Sequence, residues 1–90
     1  MISYDETKRQ ANLVKHGFDF IGCEAVFQGF TLTREDRREA YGELRLRTLG
    51  LWNGIVVVII HTPRDHCDHL ISIRKADRHE QRNYWKHYPA

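Results

Sequence analysis

Arg45, Arg47, His61 and Arg74 are the residues of this 90-residue sequence whose types and spacing suit a reaction. An imidazole near its ordinary pKa accepts or donates a proton around neutrality. Guanidinium groups hold the charge that builds on a phosphate in a transition state. Together they suit RNA cleavage without a metal. A base takes the 2′-hydroxyl proton, an acid protonates the leaving 5′-oxygen, and arginines stabilise the phosphorus centre between them. Glu43 can orient an arginine or serve as the base. The same residues also fit a plainer account, with Arg45 and Arg47 on a solvated strand face, Glu43 a surface carboxylate and His61 a hydrogen-bonded residue at a strand end.

The elements that would gather them follow from Asn53-Gly54. This pair lies between two apolar runs and signals a two-residue hairpin turn, because a type I′ turn needs positive φ at both positions. Leu44 to Trp52 is then one strand. Ile55 to Thr62 is the next, β-branched almost throughout and therefore covered on both faces. His69 to Arg74 returns antiparallel. The turn pairs Trp52 with Ile55, Arg47 with Ile60 and Leu46 with His61. Leu44 and Leu46 fall out of phase with Leu49 and Leu51, however. A β-bulge between Thr48 and Gly50 would put the four leucines on one side and move Arg45 and Arg47 to the face of His61, with Arg74 joining from the third strand.

Around this meander the sequence predicts an edge strand at Ile2-Ser3-Tyr4 and a helix from Glu6 to Lys15-His16. Asp5 caps its start and Gly17 its end. Asp19 would cap a second helix with Phe20, Cys23 and Phe27 on its inner stripe, ending at Gly29. The two helices form an αα-hairpin over one sheet face. Phe30 to Thr33 alternates as a strand, and Arg34 to Glu39 is too charged to bury. Asp77 and Glu80 give a capping-box start to a last helix running to about His87. Tyr84 and Tyr88 share one face of it, and its other faces are polar, so it packs lightly and is movable.

Composition bounds the rest. Ninety residues with 41% hydrophobic and 29% charged side chains suit one domain, residues 1–90. Fourteen Lys and Arg against twelve Asp and Glu give +2, so the arrangement of charge matters more than its sum. Cys23 and Cys67 make no disulfide framework. His61, His66, Cys67 and His69 are of ligand type but lack a set ligand spacing, so neither a metal nor a cofactor is expected. No signal-peptide h-region follows Met1 and no apolar run spans a membrane, which makes a cytoplasmic protein the expectation.

Several short runs, in order, resemble the BrnT ribonuclease toxins of type II toxin–antitoxin systems. They are Asp5-Glu6-Thr7-Lys8, Ala11 to Gly17 with Phe20, Gly42 to Arg45, Val58 to Thr62, Ile71 to Ala76 and Glu80 to Tyr84. Two positions depart from the family pattern: Tyr4 stands for the usual Trp and His69 for a common Arg. The resemblance implies a RelE-like α+β fold. It also implies cleavage of mRNA that inhibits translation, and a cognate DNA-binding antitoxin of the BrnA-like kind, through which alone operator DNA is met. It carries catalytic roles to Glu43, Arg45, His61, Arg74 and Tyr84, and RNA-binding roles to Arg47, Lys75, Lys15 and His16. Two rival readings use the same scaffold. One is an RNA-binding or regulatory module without proton transfer; the other is a partner-binding subunit of a repressor complex.

Overall fold

The computed structural model describes residues 1–89. Its centre is β4 (Ile55–Arg64), paired antiparallel to β3 (Leu46–Trp52) and β5 (Cys67–Lys75). Asn53 and Gly54 take φ of 47° and 82°, the two positive angles that the tight turn demands. β2 (Leu32–Glu35) adds to β3, and β1 (Ile2–Ser3) adds to β5, giving the order β1-β5-β4-β3-β2. β1 runs parallel to β5. The sheet is therefore mixed, and the expected all-antiparallel meander is corrected at that edge.

The expected bulge in β3 does not form. Pairing runs unbroken from Trp52–Ile55 to Leu46–His61. The leucine phase change needs no repair because both faces of the sheet are covered. Val57 and Ile59 pack with Phe20, Cys23 and Val26 on what we call the inner face. Val56, Val58 and Ile60 pack with Leu49, Ala76 and Tyr84 on the outer face. A slip instead occurs between β4 and β5 at Ile60/His61. Leu70 and Ile73 are three residues apart yet both wholly buried in the inner cluster, and one extra residue between them restores the phase.

The helices differ from the expected hairpin as well. α1 (Glu6–His16) is capped by Asp5 and Gly17 as predicted, and it lies against β5. The second helix is only α2 (Glu24–Gln28), seated on β3. Gly22, at φ +91°, interrupts any longer helix. The Asp19 carboxylate accepts from Ile21 N and from the Arg9 guanidinium rather than capping a helix. Phe20, Cys23 and Val26 make the inner stripe, with Phe27 only partly buried. Asn12 closes the edge of β5 like a strand partner: its amide accepts from Ile73 N and donates to Ile73 O, each at 3.0 Å.

α3 (Arg78–His87) covers the outer face through a full capping box at Asp77 and Glu80. It attaches by two residues, Glu80 and Tyr84, which are its buried positions. Tyr84 is wholly buried and donates to Phe30 O at 2.8 Å, so the helix is pinned more firmly than its polar composition suggests. Among the described residues no helix is long and apolar enough to cross a membrane.

At Gly50 the sheet leaves no room beneath α2, and a β-carbon there would stand 2.5 Å from Val26 Cγ1. Gly50→Ala should therefore lose about 1–3 kcal/mol of stability in urea unfolding. Val26→Ala should recover part of that loss when combined with it, a coupling that a double-mutant cycle reads directly.

Candidate functional site

Strand alternation assigns each candidate to a face. Arg47 pairs with Ile60 and Arg74 with Val58, so both stand on the outer face among the residues that α3 covers. Arg45, two residues before Arg47, continues that row. Glu80 is the group that organises it. The carboxylate is 6% exposed and takes both Arg74 Nη1 (2.8 Å) and Arg74 Nη2 (2.9 Å), the bidentate geometry that favours Arg–carboxylate pairs. It also accepts from Arg47 Nη1 at 3.3 Å and from Asp77 N at 2.8 Å. The Arg74 bonds, the capping contact and nearby Arg47 hold it well below the usual carboxylate range, at about 2.

Beside this group lies a second one. The Arg45 guanidinium stacks 4.0 Å over the Tyr41 ring, and its Nε stands 3.7 Å from Glu43 Oε1, beyond hydrogen-bond reach. That Nε is buried and has no hydrogen-bond partner among the described residues. Arg38, Glu39, Tyr41 and Arg45 line a polar cavity of about 360 Å³. Its wall is fixed by Asp36, buried despite the charged run around it. Asp36 accepts from Arg38 Nε and Nη2 at 2.8 Å each and from the Tyr41 hydroxyl at 3.3 Å, which hold its carboxyl at about 2. The expectation that Arg34 to Glu39 stays unburied holds except at Asp36, where it is corrected. Glu43 is half exposed and also reaches Arg64 at 3.5 Å.

His61 is not among these arginines. It projects to the inner face, is 3% exposed, and is covered by the Phe27 ring at 5.1 Å. Its Nε2 lies 2.7 Å from Thr48 Oγ1 and its Nδ1 3.0 Å from Asp68 Oδ1. Thr48 in turn meets Thr33 Oγ1 at 2.8 Å. The relay links β2, β3, β4 and β5 through one side chain from each. Nδ1–H donating to Asp68 and Nε2 accepting from Thr48 satisfies every member with a neutral ring. Burial lowers the His61 pKa, against the opposing pull of Asp68, in keeping with that neutral state. The relay has the connectivity of a hydroxyl–imidazole–carboxylate triad. Thr48 is wholly buried, though, so the arrangement binds strands together rather than presenting a nucleophile.

Tyr84, the other residue expected in catalysis, is likewise buried, with its hydroxyl committed to Phe30. Lys75 is exposed but pairs with Val57, so it alternates away from Arg74. Lys15 and His16 line a shallow groove with Lys8, Asn12, Ile71 and Ser72 at the border of the arginine face. Burial, then Lys15, then Arg74 lower the His16 pKa. Among the described residues no three His, Cys, Asp or Glu side chains converge as metal ligands. The sequence reading missed Arg38, Tyr41, Asp36 and the second role of Glu80. The capping-box signature marked Glu80 as placed, and the cap leaves one carboxylate oxygen free for an arginine.

The model of a protein family described as ribonuclease toxin, BrnT, of type II toxin–antitoxin systems matches residues 4–80. That span ends at the buried carboxylate of α3. No curated protein matches the chain.

Glu80 gives the site a pH signature. Its carboxyl falls from the usual 4.5 to about 2 on folding. The stabilisation is complete above the unfolded value and is lost as pH falls from about 4.5 towards 2. Its size is on the order of 3 kcal/mol. Glu80→Gln should lower stability at pH 7 and flatten the acid limb of a stability–pH curve over that window. A variant as acid-sensitive as the wild type would show that other carboxylates carry the limb.

Proposed function

The chain belongs to the BrnT family of ribonuclease toxins of type II toxin–antitoxin systems, and from that premise we propose that its outer arginine face cleaves mRNA without a metal. The observation that carries this reading is Arg45. Its guanidinium is stacked over Tyr41, its buried Nε has no acceptor among the described residues, and a polar cavity lined also by Arg38 and Glu39 opens beside it. A buried donor left unpaired is costly, and a phosphate oxygen supplies the acceptor it lacks.

In this mechanism Glu43, beside Arg45, takes the 2′-hydroxyl proton. The oxygen attacks phosphorus, and the 5′-oxygen leaves with a proton drawn from solvent at this open face. Arg45 and Arg74 bind the charge that grows on the non-bridging oxygens, a stabilisation greatest in the transition state. Arg47 and Arg38 add positive potential. Glu80 holds Arg47 and Arg74 in position, so little reorganisation is needed when RNA arrives. His61 and Tyr84 serve as the scaffold beneath. Loss of translation follows from cut mRNA in the cytoplasm. A cognate BrnA-like antitoxin neutralises the toxin and carries the contacts to operator DNA.

The burial of His61 supports one rival, an RNA-binding module that performs no proton transfer. Cleavage of RNA by the purified chain in EDTA separates the two. Active protein is expected, with Arg45→Ala and Arg74→Ala each slowed on the order of a hundredfold or more while circular dichroism stays native. Folded His61→Gln protein should still cut. Wild-type rates in both arginine variants would overturn the arginine site, and RNA binding without any cleavage would favour the rival.

A further inference from the structure

The exposed side of α3 carries an arrangement that the reaction above does not use. Arg78, Arg82 and Lys86 recur at i, i+4 and i+8, which sets them in one row about 6 Å apart along the axis. All three are exposed, and none has an ion-pair partner among the described residues. His79, Arg82, Asn83 and Lys86 line a shallow depression of about 300 Å³. The helix's two acidic neighbours, Asp77 and Glu80, are taken up by the capping box. Trp85 borders the row, three residues after Arg82. It is 48% exposed, and an edge contact with Tyr84 and a tilted one with Tyr88, each at 5.2 Å between ring centres, hold its indole in place.

We propose that this row is a binding track for single-stranded RNA, with Arg78, Arg82 and Lys86 on the phosphates and Trp85 as a stacking platform for an unpaired base. The proposal rests on the reading of the outer face as an RNA site and extends it along the chain of the substrate. Two observations favour a single strand. Unpaired cations beside a fixed, half-exposed indole are the pairing that single-strand binders use, since every base has a face to stack. The row also starts two residues before Glu80, whose carboxylate is already occupied by Arg47 and Arg74, so the row and the cleavage face adjoin at the start of α3. RNA whose scissile phosphate sits by Arg45 and Arg74 would lay its flanking nucleotides along α3. The track thus confers affinity for length rather than chemistry at phosphorus.

The test uses the full chain and 2′-O-methyl RNA, which lacks the attacking hydroxyl and so reads binding independently of cleavage. Fluorescence anisotropy compares a dodecamer with a trinucleotide across a salt series. For Arg82→Ala/Lys86→Ala, the dodecamer should bind about tenfold or more weakly. Its salt slope should shrink by about 1.4, the loss of two phosphate contacts on a single strand. Trp85→Ala should weaken dodecamer binding by roughly fivefold to a hundredfold with its salt slope kept. Arg82→Lys/Lys86→Arg should keep both affinity and slope, which excludes a fold defect as the cause. Equal losses for the dodecamer and the trinucleotide would overturn the track. So would dodecamer affinity and slope unchanged in the alanine variants, the result for a merely solvated helix. Duplex RNA bound more tightly than the single strand, with no effect of Trp85→Ala, would also overturn it. If the wild type binds in this α3-dependent way but cuts nothing, the cleavage reading fails and the track stands.

Discussion

Burial of β4 on both faces is the constraint from which the rest of the molecule follows. Successive side chains on a strand point to opposite sides. With Val56 to Thr62 buried throughout, each residue is committed to one of two separate cores. The inner core needs α1, the turn at Phe20–Cys23 and α2 above it. The outer core needs α3. The same alternation sends His61 inward and leaves Arg47 and Arg74, on the neighbouring strands, facing out. Slipping either pairing by one residue would put arginine in the inner core, so the register itself fixes where positive charge can stand.

On the outer side the arrangement is electrostatic as much as apolar. Glu80 is almost wholly buried, and a carboxylate in that position is costly unless its oxygens are filled. Arg74, Arg47 and the Asp77 backbone fill them. One group thereby caps a helix, docks it and orients two arginines. This coupling lets a helix with few apolar residues stay attached, since only Tyr84 adds a large buried surface. It also links the position of α3 to the geometry of the arginine face, so whatever lifts the helix also releases Arg47 and Arg74.

Much of the frame was legible in the residues. Asn53-Gly54 gave the hairpin and its register, Asp5 and Gly17 bounded α1, and Asp77 with Glu80 marked α3. What failed did so for separate reasons. The bulge in β3 was inferred by assuming one buried face, and two-sided burial removes the need for it. The second helix was extended back to Asp19 on the strength of the Phe20, Cys23 and Phe27 spacing, although Gly22 interrupts it. Of the candidate site, Arg45, Arg47, Arg74 and Glu43 lie on or beside the outer face. His61 and Tyr84 belong to the supporting structure, and Lys75 turns away. Residue type could not distinguish a reacting histidine from one locked between Thr48 and Asp68, because both of those partners come from other strands. Asp36, Arg38 and Tyr41 were hidden in a run that composition alone marks as solvated.

On the proposed mechanism RNA meets the outer arginine face and not the His61 relay. Nuclear magnetic resonance of the labelled chain, titrated with 2′-O-methyl RNA, tests this most directly. The expected shifts concentrate at the amides and side chains of Arg38, Tyr41, Arg45, Arg47 and Arg74, with Phe27, Thr48, His61 and Asp68 left in place. Shifts centred on His61 and Asp68, with the arginine face silent, would contradict it.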